Sequence, residues 1–145
     1  MPVDLQAAPG FLIDRNAHLI RLKVKRKIAE LGLDLTNEEA AILAALNHHD
    51  GLRIGDLARI LVRDTTTVTR QVEGLERKKC VFREAAAEDR RAVQVKLLRE
   101  GIRRYQLFDP PLQKLKAEVF SGISEREEKI LIKCLQKVKA NLLND

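Results

Sequence analysis

The sequence predicts a mainly α fold with one small β-hairpin, and three observations predict it. The 145 residues are 45% apolar, yet aromatics are limited to four Phe and one Tyr, so Leu, Ile, Val and Ala must build the interior, a composition that favours helices. Apolar residues recur at helical spacing along most of the chain. Strict alternation occurs at Val93-Gln94-Val95-Lys96-Leu97, preceded by a β-leaning run at Val81 to Glu84. The length suits one compact domain or a domain with helical extensions.

The first helix is expected from about Phe11 to Leu31. Leu12, Leu19 and Ile20 are apolar positions, Arg21, Lys23, Lys25, Arg26 and Lys27 give a basic face, and Gly32 stops it. Thr36 starts a second helix. Glu39 stands three residues on, forming a capping box in which each side chain satisfies an N–H near the other residue. The core stripe of that helix is Ala40, Leu43 and Leu46, and "HHDG" ends it. "LRI" is a short extended lead-in to a helix over "IGDLARILV", which turns Leu57, Ala58 and Leu61 inward. A tight turn at Val62 and Arg63 follows. Asp64 then caps a helix running to about Lys79. Val68, Val72 and Leu75 fall on one side of it. At about 100° per residue, Thr66, Arg70, Glu73 and Arg77 fall on the other, with Thr67 and Thr69 flanking.

Two strands come next, Val81 to Glu84 and Val93 to Leu97, joined by the exposed loop "AAAEDRR". A short helix, a turn and a longer helix with a polar outer face make a helix-turn-helix, and a hairpin directly after it is a wing. Asp89 stands beside two arginines at the tip. A carboxylate there can hold an arginine side chain in one direction through charge-assisted hydrogen bonds, and arginine suits a narrow, electronegative minor groove. The charge is placed accordingly. From Arg53 to Arg104 there are fourteen Lys or Arg against eight Asp or Glu, while the rest of the chain carries thirteen of each, so the whole excess of +6 lies in this third. The plainer alternatives are a solvated basic face and threonines that serve only as caps and β-branched filler.

The stretches "LDLTNEEAAILAAL", "LRIGDLARILVRDTTTVTRQVEGLERK" and "EDRRAVQVKLLREG" resemble the multiple-antibiotic-resistance-regulator (MarR) family of bacterial winged-helix transcription factors. Asp89 and Arg91 match that family's Asp-any-Arg wing signature, Thr69 and Arg70 its Thr-Arg pair, and Leu75 and Glu76 its Leu-Glu near the helix end. The resemblance implies a homodimer with interlocked first and last helices, binding a pseudo-palindromic operator, with expression altered when a small molecule or an oxidant changes the spacing of the two lobes. Two positions depart from the pattern. Lys79 stands where the family usually has Gly, so either it adopts the left-handed conformation at some cost or the turn differs, and Leu98 stands where a capping Thr is usual, so the cap of the next helix is missing or moved. Family members that sense peroxide place the thiol near the start of the chain, so Cys80 and Cys134 gain no redox role from the resemblance.

A helix beginning near Arg99 is expected to be interrupted at "DPP", because Pro110 and Pro111 lack N–H groups and force a kink or a restart. In "SGISEREEKILIKCLQKVKANLL", Ser124 and Glu127 form a second capping box, and Ile130, Leu131, Cys134, Leu135, Val138 and Leu142 make an apolar stripe. Residues 1–145 read as a single domain, with a winged helix-turn-helix DNA-binding lobe over 33–98 and dimerisation helices over 1–32 and 99–145. The two cysteines are too few for a disulfide scaffold or a zinc module and are expected to be small buried hydrophobes. No apolar run approaches the roughly 20 residues of a membrane span, and "MPVDLQAAPGFL" lacks a signal-peptide pattern, so a cytoplasmic protein is expected.

His18, His48 and His49 offer no HxxxH spacing, and neither CxxC, a Gly-rich phosphate loop nor a nucleophile elbow occurs. An enzyme, a metal site and a cofactor are therefore not expected. The candidate DNA-binding residues are Thr65, Thr66, Thr67, Thr69 and Arg70 in the major groove, Arg91 braced by Asp89 in the minor groove, and Arg77 and Arg90 on phosphates. The expected partners are double-stranded DNA, a second copy of the chain and, by the resemblance, a small-molecule effector; no membrane is expected. Repression is the expected sense. The competing reading is a winged-helix protein-interaction module without sequence-specific DNA binding, against which Arg70, Arg77, Arg90 and Arg91 speak.

Overall fold

Capping residues define the helix starts. The computed structural model describes residues 2 and 4–144. A short 3-10 turn at Leu5–Ala7 leads into helix α1, Pro9–Glu30, which starts two residues ahead of Phe11 because Pro9 suits a first helical position. Gly32, at φ +63°, ends it as expected. Helix α2, Asn37–His48, has the anticipated capping box: Glu39 N–H donates to Thr36 Oγ1 at 3.0 Å, and Thr36 N–H to Glu39 Oε1 at 2.9 Å. Strand β1, Leu52–Arg53, leads into α3, Ile54–Leu61, and α4 follows as Thr65–Arg77. After β2, Val81–Ala85, and β3, Val93–Leu97, come α5, Arg99–Val119, and α6, Glu125–Leu143, the latter capped by Ser124 and Glu127.

The sheet holds three strands in the order β1-β3-β2, both pairs antiparallel. The "LRI" segment is thus more than a lead-in, since Leu52 and Arg53 pair with Val95 and Gln94. Two residues are too few to show alternation, which is why the pairing leaves no sequence signal. Around this sheet α2, α3 and α4 close a core that includes Ile42, Leu43, Leu46, Leu57, Val68, Val72, Leu75, Val81 and Val95. Most of the expected inward residues are buried, but Leu61 and Leu97 are only half-buried against this core and Val93, the first residue of β3, is exposed. A second cluster joins Ile28, Leu33, Ala40 and Phe108.

Tight connections hold α4 in place. Val62 adopts φ 52° between α3 and α4, a left-handed conformation that costs a β-branched residue about 1 to 3 kcal/mol. Lys79 adopts φ 60°, the left-handed one of the two outcomes open to it. Cys80 N–H reaches Leu75 O at 2.9 Å and Lys79 N–H reaches Glu76 O at 2.9 Å, a Schellman closure whose flanking residues, Leu75 and Cys80, are both buried. Burial also pushes the Cys80 thiol pKa up. Gly101, in the first turn of α5, passes so close that a Cβ would collide with Cys80 O. Gly74 likewise leaves room for a carboxylate: a Cβ there would lie 2.7 Å from Glu39 Oε2. Glu39 is buried, and its Oε1 also accepts from Lys78 Nζ at 2.7 Å.

Two expectations are corrected here. Helix α5 does not stop and restart at Asp109-Pro110-Pro111 but runs through both prolines. The prolines leave two carbonyls of the preceding turn without helical donors. Side chains bridge the same turn, since Asp109 Oδ1 accepts from Tyr105 Oη at 3.2 Å and from Gln113 Nε2 at 3.1 Å. Cys134 is exposed rather than buried, because α6 buries none of its residues in the single chain. The chain comprises two units, Met1–Gln113 and Lys114–Asp145. Among the described residues no helix is long and apolar enough to cross a membrane.

Candidate nucleic-acid interface

Burial of Val68, Val72 and Leu75 fixes which way α4 faces. Thr65, Thr66, Arg70 and Arg77 are exposed, while Thr67, Thr69 and Glu73 are half-buried. Thr65, Thr66, Thr69, Arg70 and Glu73 line one shallow concavity on this outer face. Thr67 is turned further round. It helps to line a separate cavity with Asn37, Ala41, Arg63 and Gln71. Asp64 Oδ1 accepts from Thr67 N–H at 2.6 Å, which starts the helix and holds the Asp64 carboxyl below its ordinary range; the Thr67 hydroxyl and the Arg70 charge add to the effect.

The wing is braced differently from the sequence expectation. Ala86 N–H donates to Ala92 O at 2.9 Å and closes the loop, and Ala92 N–H donates to Asp89 O at 3.1 Å. Asp89 Oδ1 accepts from the backbone N–H of Arg91 at 2.9 Å, not from its guanidinium. A short carboxylate reaches the N–H two residues on before it reaches the end of a long side chain, which is why Asp starts such turns. Asp89 therefore shapes the backbone on which Arg90 and Arg91 are carried, and both arginines are exposed.

Ion pairs separate two groups of arginines. Arg53 is held by Glu88 at 3.0 Å, Arg59 by Asp56 at 2.7 Å and Arg83 by Glu76 at 2.7 Å. Among the described residues, no carboxylate lies within 4 Å of Arg70, Arg77, Arg90 or Arg91. The four arginines expected at the interface thus make no close ion pair within the lobe, although the Arg70 charge reaches Asp64. Sequence reasoning missed the Arg53–Glu88 pair, which ties the wing loop to β1. The partners are 35 residues apart and no local pattern marks them. Glu84 accepts from Lys96 Nζ at 3.0 Å and from Gln94 Nε2 at 3.1 Å, which lowers its pKa and braces the two long strands. Among the described residues no group of His, Cys, Asp and Glu could hold a metal ion.

Known proteins resemble this chain in sequence and in fold. A model described as the MarR family matches residues 33–92. The uncharacterized HTH-type transcriptional regulator YdgJ of Bacillus subtilis is 27% identical over 110 residues, 76% of this chain and 67% of that protein. The crystal structure of the Staphylococcus aureus MepR–DNA complex superposes with a TM-score of 0.85 at 28% identity, covering 94% of this chain and 98% of that one. A MepR mutant bound to an oligodeoxyribonucleotide is 30% identical, covering 93% and 98%, with a TM-score of 0.59.

Proposed function

The chain belongs to the MarR family of winged helix-turn-helix transcriptional regulators, and on that premise we propose that it acts as a homodimeric, sequence-specific repressor of pseudo-palindromic operators. Residues 33–98 serve as the DNA-binding lobe, and residues 1–32 and 99–145 serve as the dimerisation helices. A family effector would act by changing the spacing of the two lobes, and the protein would work in the cytoplasm. The observation that carries this reading is the set of exposed arginines left without carboxylate partners on α4 and at the wing tip. A polyanion offers them phosphates, and the release of its counterions favours binding. The MepR–DNA complex supports the same reading.

In this arrangement α4 lies in a major groove. Thr65, Thr66, Thr69 and Arg70 reach base edges and phosphates from its first turns, and Thr67 supports them from the side. Arg91 enters the adjacent minor groove from a turn that Asp89 fixes, while Arg77 and Arg90 hold phosphates.

Selection of bound fragments from randomised duplex DNA tests the reading; an enriched palindrome is expected, and its absence would favour a protein-interaction module instead. Titrations of wing variants against that operator then test the tip. Arg91→Ala should weaken binding by about 1 to 3 kcal/mol, and Arg90→Ala should mainly reduce the salt slope by about one. Asp89→Ala should also weaken binding, although it removes a negative charge, because the turn under Arg91 is lost. Tighter binding by Asp89→Ala, with folding intact, would show that the tip acts by charge alone.

A further inference from the structure

Glu73 is an acid at the middle of the face that α4 turns toward a polyanion, and the bulk electrostatics of DNA binding give no reason for it. Its helical phase is that of Thr66, Arg70 and Arg77. It lines the outer concavity with Thr65, Thr66, Thr69 and Arg70. The ordinary explanation for such an acid is a pair along its own helix. Arg70 three residues before it and Arg77 four residues after it are both at the right spacing. Neither pair forms within 4 Å, although other pairs at this spacing do, such as Lys27–Glu30 at 3.0 Å and Arg59–Asp56 at 2.7 Å. Glu73 is therefore held by no close ion pair along α4.

A carboxylate only accepts hydrogen bonds, so against DNA it is repelled by phosphates and by the acceptor edges of guanine and thymine. Two major-groove donors remain, cytosine N4 and adenine N6. Adenine N6 has an acceptor on each side, its own N7 and O4 of the paired thymine, which oppose a second lone pair; cytosine N4 has one only, O6 of the paired guanine, with its own C5–H on the other side. We infer that Glu73 is a specificity-determining residue that accepts a hydrogen bond from cytosine N4 at one position of each half-site. This rests on the DNA-binding reading above. It adds a rule of exclusion, since a wrong base would leave the acid desolvated without a donor.

The chemistry makes a distinctive prediction for the isosteric variant. Glutamine both donates and accepts, which matches adenine N6 and N7, so Glu73→Gln should move the preference at that position from C to A. Glu73→Ala should lose the preference there. The experiment is selection from randomised duplex DNA with the full-length wild type, Glu73→Gln and Glu73→Ala, followed by titration of operators changed at that one pair. Circular dichroism melts verify that the exposed-face variants fold. The wild type should lose about fivefold or more when the C·G pair is replaced, the factor that corresponds to about 1 kcal/mol. Glu73→Ala should bind all four pairs alike there. If the wild type selects a palindrome and Glu73→Ala selects the identical motif, or binds it more tightly with unchanged preferences, the inference is overturned and the regulator reading stands. If the wild type selects no motif, both fall.

Discussion

Helices α4 and α6 carry apolar stripes of the same period, yet only the stripe of α4 is covered. Val68, Val72 and Leu75 are at most 1% exposed, whereas Ile130, Leu135 and Val138 are 40% exposed or more. The lesson is about what periodicity reports. A stripe says that a surface must be removed from water and says nothing about which chain removes it. In α4 the covering residues are supplied by α2, α3 and the sheet, all between Asn37 and Leu97. For α6 the cover we propose is a second copy.

The comparison breaks most easily at the buried end. Leu75→Ala should lower the free energy of unfolding by about 2 to 5 kcal/mol at every protein concentration, as read from urea titrations. A loss below about 1 kcal/mol would mean that the lobe core is not the stable unit. On α6, Leu135→Asp should weaken self-association at least about tenfold while leaving the spectrum of the lobe intact, and light scattering against concentration reads this directly. In that variant Cys134 should react quickly with a thiol reagent, while Cys80 stays slow because it is buried and its thiolate is disfavoured. A wild type that stays monomeric at micromolar concentration would remove the proposed cover altogether.

Smaller effects sharpen the contrast, because caps act locally. Asp64→Ala and Ser124→Ala each remove a side chain that accepts a backbone N–H at a helix start, and each should cost about 1 kcal/mol despite the different burial of the two helices. If only Asp64→Ala registers in thermal melts, α6 depends on its partner for helix formation. The smallest effect belongs to acid. Arg103 and Arg104 hydrogen-bond Glu100 and hold its pKa at about 2, against an ordinary 4.5. Ser124 holds Glu127 below 4.5 through its backbone N–H and then its hydroxyl. Both groups are lowered on folding, so their contributions are complete above pH 4.5 and fade as pH falls, that of Glu100 continuing down to about 2. Glu100→Gln should flatten this acid limb of a pH titration of stability, with little change at pH 7.

Sequence reasoning reached the elements whose causes are local. Thr36 with Glu39, Ser124 with Glu127, Asp64 and Lys79 each act within four residues, and the outer face of α4 follows from helical phase alone. Features set by distant partners were not legible. Leu52 and Arg53 join the sheet through residues 41 or more positions later, and Arg53 meets Glu88 across 35. At the candidate site the presence of Asp89 was legible and its bonding was not, since its reach to the Arg91 N–H competes with the guanidinium only once the turn has a geometry. The continuity of α5 was missed because the bonds that Asp109 makes to Tyr105 and Gln113 are read from coordinates, not from proline count.

The close approach of Glu39 to Gly74 also bears on how such a sequence can change over generations. A Cβ at position 74 would crowd Glu39 Oε2, so that oxygen must turn aside if position 74 gains bulk. Replacing Gly74 by Ala would favour the helix by about 1 kcal/mol on propensity alone, set against the shift of a buried carboxylate whose other oxygen, Oε1, is held by Thr36 and Lys78. The two positions are therefore coupled. Among descendants of this chain, bulk at 74 should be better tolerated where 39 has shortened, so the order of two such substitutions matters as well as their identities.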